Sequence, residues 1–226
     1  MSREKSIVVL ISKCCNTLDD LKQEYQSSLK AKEVSEELKV DIKNILENLR
    51  SCLDYIAHDI HEKFIPGSTS RLYFPIRHSF TEFEQVIARD FEGLDQTSPD
   101  VFSLLEKVQP YNDDWLGKFN RLNNNNKHED LEEQTRTETR RVTVSSKSGK
   151  GSVSWGPGVT LGSGVSVMGV PIDPKTQLPV PNTITDTKIE IWVDFKFADN
   201  GESVLPFLTK SIDKVETLCQ SIRKYL

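Results

Sequence analysis

Apolar residues recur at helical spacing from Ile7 to Phe64, and that recurrence leaves little choice of architecture. Ile7, Ile11, Cys14, Leu18, Leu21 and Tyr25 are separated by alternating steps of four and three, the seam of a helix that packs along its length. A second seam follows: Val34, Leu38, Ile42, Ile45, Leu49, Leu53 (with Cys52), Ile56, Ile60 and Phe64. A helix from Val34 to Phe64 is about 45 Å long. The pattern breaks near Lys30-Ala31-Lys32, so the two segments are expected to form a long antiparallel hairpin. Pro66-Gly67-Ser68 ends the second helix. Near the other end of the chain Val204, Leu208, Ile212, Val215, Cys219 and Ile222 repeat the helical spacing. That last stripe needs a partner, and the hairpin supplies one.

Between these segments lie shorter elements. Leu72-Tyr73-Phe74-Pro75-Ile76 reads as an extended apolar plug, because Pro75 biases Phe74 away from helix. Ser79 with Glu82 three residues on predicts a helix start, running to about Asp90. Ser98-Pro99-Asp100 predicts another, to about Val108. A third begins at Asp113-Asp114-Trp115, with Trp115, Phe119 and Leu122 inward, and runs into Asn123-Asn124-Asn125-Asn126-Lys127-His128. From about Thr135 the apolar period becomes two: Val142 with Val144, Val153 with Trp155, Val159 with Leu161, and Val165 with Val167. Pro171 to Pro181 reads as a proline-punctuated connection. Ile189, Ile191, Val193, Phe195 and Phe197 make the cleanest strand, with Glu190, Trp192, Asp194 and Lys196 on its other face. The expected class is α+β: an antiparallel helical bundle with an inserted antiparallel β-sheet of three to five strands. The expected domains are a helical bundle over 1–134, a β-insertion over 135–201 and a C-terminal helix over 202–226 returning to the bundle.

Composition narrows the function classes. Of 226 residues, 36% are hydrophobic and 28% charged, enough apolar material for a packed core. The net charge of −5 excludes a globally basic nucleic-acid coat, though not a local patch. No apolar run approaches the ~20 residues of a membrane span. The stretch Ile7–Leu29 carries Lys13, Asp19, Asp20 and Lys22, unlike a signal-peptide core. The chain is therefore expected in the cytoplasm, without a membrane partner. Cys14, Cys52 and Cys219 fall on apolar stripes and Cys15 faces away; no CxxC or Cys/His pair has zinc spacing. GxGxxG, Walker A, HExxH and GxSxG motifs are absent, and Gly162-Ser163-Gly164 precedes a strand rather than a helix. No cofactor and no metal are expected.

Three polar concentrations remain. Arg50, Asp54, His58 and His61 share one stripe of the second helix beside its apolar seam, where Arg50 and Asp54 can pair at (i, i+4). The asparagine run with Lys127 and His128 reads either as a helix cap and loop or as a cluster of amide, ammonium and imidazole groups suited to phosphate contact or acid–base work. Arg136, Arg140, Arg141, Lys147 and Lys150 are opposed only by Glu138 up to Val170, with Trp155 nearby. That stretch reads either as a solvated edge or as a surface for a nucleic-acid backbone.

Arg50-Ser51-Cys52-Leu53-Asp54-Tyr55-Ile56-Ala57, Phe74-Pro75-Ile76 and Asn124-Asn125-Asn126-Lys127-His128 together resemble a bacterial group. In that group an R-x-x-L-D-[HY]-[LI]-A helix precedes an F-P-I plug and an N-x-x-K-H segment. The match covers roughly residues 34–130 and brings no activity of its own. The group is distantly similar to HEPN (higher eukaryote and prokaryote nucleotide-binding) helical domains. Many of those are dimeric RNases of toxin–antitoxin and phage-defence systems that use an R-x(4–6)-H motif. Arg121 and His128 fit that spacing, as do Arg71 and His78 across a proline; only the first pair sits at a helix end.

Two functions follow. The first is a non-enzymatic interaction module, with the helices as scaffold and the β-insertion as partner surface. The second is a metal-independent endoribonuclease or RNA-binding domain. There Arg121 stabilises phosphate charge, His128 is the general acid or base, Arg50 and Asp54 orient them, and Asn124, Lys127, Arg140, Arg141, Lys147 and Lys150 contact the nucleic acid. A small-molecule binder is a third option. The partners expected are a second copy of the chain, RNA or a protein.

Overall fold

A computed structural model describes residues 3–28, 36–65, 72–128, 134–149, 151–156, 158–198 and 200–226, with side chains described except at 26–28, 126–128, 134–139 and 190–194. The chain is α+β, with helices and two small antiparallel three-stranded sheets. It divides into two compact units, one formed by residues 1–134 with 197–226 and one by 135–196.

The helical unit is built on the two seams. Helices α1 (Glu4–Ser28) and α2 (Glu36–Phe64) pack against each other, and α7 (Val204–Arg223) packs on both. Ile7, Cys14, Leu21, Ile45, Leu49, Leu53, Ile56 and Leu208 are buried at their contact. Cys14, Cys52 and Cys219 are buried with them and Cys15 is exposed. Burial pushes the Cys14 and Cys219 thiols up to about 12, which leaves them as small apolar side chains. The turn expected at Lys30–Lys32 and the stop at Pro66–Ser68 lie outside the described residues.

One buried carboxylate ties the ends of this unit to its centre. Asp59, on α2, accepts from Arg3 Nη1 at 2.8 Å and from Arg223 Nη2 at 2.6 Å. Its partners lie 56 and 164 residues away in the chain, so no local pattern announces it.

Shorter helices close the unit: α3 (Phe80–Asp90), α4 (Leu94–Thr97), α5 (Pro99–Lys107) and α6 (Asp114–His128). Ser79 caps α3 by accepting from the Glu82 N–H, and Glu82 Oε2 accepts from the His78 N–H. Ser98 precedes α5 without a side-chain cap bond; Pro99 in the first turn sets the start. The asparagine run is not the cap and loop that its composition suggests: α6 continues through it to His128. Burial of Trp115, Leu116, Phe119 and Leu122 holds the helix against the weak propensity of asparagine.

The second unit carries β1 (Gln134–Ser146), β2 (Ser152–Trp155), β3 (Ser166–Val167), β4 (Val170–Asp173), β5 (Leu178–Pro179) and most of β6 (Thr185–Phe197). The sheets run β2-β1-β6 and β3-β4-β5. Val142 pairs with Trp155 and Val144 with Val153. Val142, Val144, Trp155 and Ile172 form the core of this unit. Two expectations change here. Val159–Leu161 is not a strand, and the connection from Pro171 to Pro181 contains β4 and β5. Val170 and Ile172 point inward on either side of exposed Pro171, a period of two that the prolines hid. Along β6, Phe195 and Phe197 are buried and Ile189 is 43% exposed. The faces expected for Glu190, Ile191, Trp192, Val193 and Asp194 lie outside the described side chains.

Among the described residues, no helix is long and apolar enough to cross a membrane.

Candidate functional site

Residues 72–77 form neither helix nor strand and pair with no strand among the described residues. Their backbone groups are satisfied by side chains instead, as buried main chain requires. The Phe74 N–H donates to Asp54 Oδ1 at 2.8 Å. The Phe74 carbonyl accepts from Arg50 Nη2 at 3.4 Å. Gln109, fully buried, gives its Nε2 to the Pro75 carbonyl at 2.9 Å and takes the Arg77 N–H on Oε1 at 2.9 Å. Leu72, Phe74 and Ile76 turn inward, while Tyr73 is left 61% exposed.

Arg50 and Asp54 clasp this plug to α2. Arg50 Nη2 lies 3.1 Å from Asp54 Oδ1, and its Nε donates to Asp54 Oδ2 at 3.3 Å. Arg50 Nη1 reaches Asn120 Oδ1 on α6 at 3.4 Å. The (i, i+4) pair expected from the sequence is therefore present, but its hydrogen bonds hold the plug and α6 together.

A cleft of about 430 Å³ opens between the plug, α3 and α6. Its walls carry Arg50, Arg77 and Arg89 against Asp54 and Asp90, and the amides of Asn120, Asn123 and Asn124. Arg89 is bonded to Asp90 through Nε and Nη2. Arg77 is anchored through one bond, Nη1 to the Ile76 carbonyl at 2.7 Å. Its remaining guanidinium donors have no partner among the described residues. Arg77 was not singled out from sequence; it lies in a short segment with no periodicity to mark it.

A second cleft, about 540 Å³, shares Asn120 and Asn124 and includes His78, Lys118 and Arg121. A glycine makes it: a Cβ on Gly117, inside α6, would stand 3.2 Å from Pro110 Cβ and 3.4 Å from His78 Cε1. Lys118 bridges Asp114 at 2.7 Å and Glu202 at 2.6 Å, and these carboxylates push its ammonium up to about 12. Lys118 therefore remains charged and tied.

The sequence candidates divide between these places. Arg50 and Asp54 line the first cleft, Arg121 the second, and Asn124 both. Lys127 and His128 end α6, with side chains outside those described. At ~1.5 Å per residue, His128 stands about 12 Å along the helix axis from Asn120. In the β unit, Arg140 Nη1 donates to the Thr176 carbonyl at 3.3 Å, and Lys147 lies 3.7 Å from Asp186. Arg141 is exposed and Lys150 lies outside the described residues. Trp155 is buried in the core of that unit. It is no stacking platform for the basic stretch, because the residue is only 8% exposed, in a cluster with Val142, Val144 and Ile172. Among the described residues, no cluster of histidine, cysteine and carboxylate side chains is arranged to hold a metal ion.

Comparison of the chain with family models, curated proteins and solved structures gives no match.

Proposed function

We propose that the protein is a non-enzymatic binding module for single-stranded RNA, with the cleft between the plug and α6 as its site. The observation that carries this is the pairing of exposed Tyr73 with the singly anchored guanidinium of Arg77 on the same wall. Exposed aromatic rings stack unpaired bases, and guanidinium groups take phosphate. A cleft of about 430 Å³ suits one nucleotide-sized group rather than a duplex. The Arg50–Asp54 clasp serves as scaffold, since its donors and acceptors already join Phe74 and Asn120.

Fluorescence anisotropy with a labelled single-stranded oligoribonucleotide tests the proposal. Arg77→Ala is expected to weaken binding roughly tenfold and to reduce the salt slope by about one counterion. Tyr73→Ala is expected to cost about 1–3 kcal/mol. Wild-type affinity in both variants would overturn the proposal. End-labelled RNA incubated with the same samples in EDTA is expected to stay intact. Cleavage that disappears in His128→Ala would make the protein an endoribonuclease instead.

A further inference from the structure

Asn123 is the anomaly of α6. Trp115, Leu116, Phe119 and Leu122 make the buried stripe of that helix, and Asn123 sits on it, 1% exposed. Helical phase gives that position to an apolar side chain. Asn123 is nevertheless one of the residues that line the first cleft, and its buried Oδ1 has no hydrogen-bond partner among the described residues. A buried, unsatisfied carbonyl oxygen costs stability unless something supplies a donor.

We infer that Asn123 is a specificity-determining residue, whose amide oxygen accepts a hydrogen bond from the edge of a nucleobase seated in the cleft. This rests on the RNA-binding role proposed above and adds how the base is held. The placement separates two ends of one ligand. Arg77 is half-buried, while Tyr73 and Arg89 are exposed, so they form the rim, where a phosphate keeps part of its hydration. Asn123, 1% exposed, is more deeply buried than these rim side chains. A base edge offers a donor beside an acceptor, the pattern that an asparagine amide meets with two hydrogen bonds. A phosphate oxygen has only acceptors to offer Oδ1 and leaves it unpaired.

The test compares a hexaadenylate with an abasic ribose-phosphate hexamer of equal charge, on wild-type protein and Asn123→Leu. Leucine has nearly the same shape and restores the apolar stripe. Wild type is expected to bind the hexaadenylate at least tenfold more tightly than the abasic strand. Asn123→Leu is expected to lose at least tenfold for the hexaadenylate and nothing for the abasic strand, while its Tm rises by roughly 2–4 °C. A residue kept only for structure moves the Tm the other way. Asn123→Ala, which removes the amide without filling its space, is expected to lose the same affinity with a lower Tm. A lowered Tm in Asn123→Leu, or unchanged hexaadenylate affinity in a folded variant, overturns the inference and leaves the Arg77 and Tyr73 results standing. Wild-type protein that binds neither strand overturns both the RNA-binding role and this one.

Discussion

Trp115→Ala is expected to remove ~3–5 kcal/mol of unfolding free energy, the range for truncating a buried aromatic. The ring is 1% exposed and stacks at 5.7 Å from Phe119. Its Nε1 donates to Ser211 Oγ on α7 at 2.8 Å, and that hydroxyl donates to the Phe207 carbonyl at 2.7 Å. Lys214, on the same helix, lies 5.4 Å over the ring and also pairs with Asp113. Alanine therefore opens a cavity and undoes the docking of α6 on α7 in one step. Ser211→Ala is the milder control. It leaves the ring in place but strands the indole N–H, for about 1–3 kcal/mol. Urea denaturation gives both numbers. A loss below 1 kcal/mol for Trp115→Ala at unchanged m would contradict this account of how α6 is held.

Asp54→Ala is expected to cost ~2–4 kcal/mol, somewhat less than a fully buried pair because both partners keep some solvent contact. The side chains of Arg50 and Asp54 are 13% and 21% exposed. Removing the carboxylate takes the counter-ion from the Arg50 guanidinium and the acceptor from the Phe74 N–H together. The double variant Arg50→Leu/Asp54→Leu takes partners from the Phe74 N–H and carbonyl and from Asn120 Oδ1, all uncharged groups, and leaves no half-buried charge unpaired, so it is expected to be more stable than Asp54→Ala alone. Equal stability of the single and double variants would remove the ion pair from the energetics and leave only the backbone bond to Phe74.

The long helices and the Arg50–Asp54 pair were legible because both follow from spacing within one element. An apolar seam and an (i, i+4) pair need no knowledge of the rest of the fold. What holds the plug was not legible. Pro75 announced an extended segment, but its partners Asp54 and Gln109 sit on other elements. Asp59 escaped for the same reason, its partners lying at the two ends of the helical unit. Asparagine composition suggested a loop where burial of Phe119 and Leu122 sustains a helix. Proline composition likewise concealed β4 and β5. The site residues divide in the same way. Arg77 and Tyr73 carry no periodic signature, and Asn123 became visible only when its depth and its unpaired oxygen could be set side by side.

Ultraviolet crosslinking of wild-type protein to a uridine-containing single strand, followed by peptide mapping, tests the position of the RNA site most directly. Zero-length crosslinks form where a base lies against a side chain. The cleft predicts crosslinks on Tyr73 within residues 72–77 and on the 120–125 segment of α6, lost when Tyr73 is replaced by alanine. Crosslinks confined to the basic stretch from Arg140 to Trp155, with the Tyr73 peptide unmodified, would contradict the account and move the RNA site to the β unit.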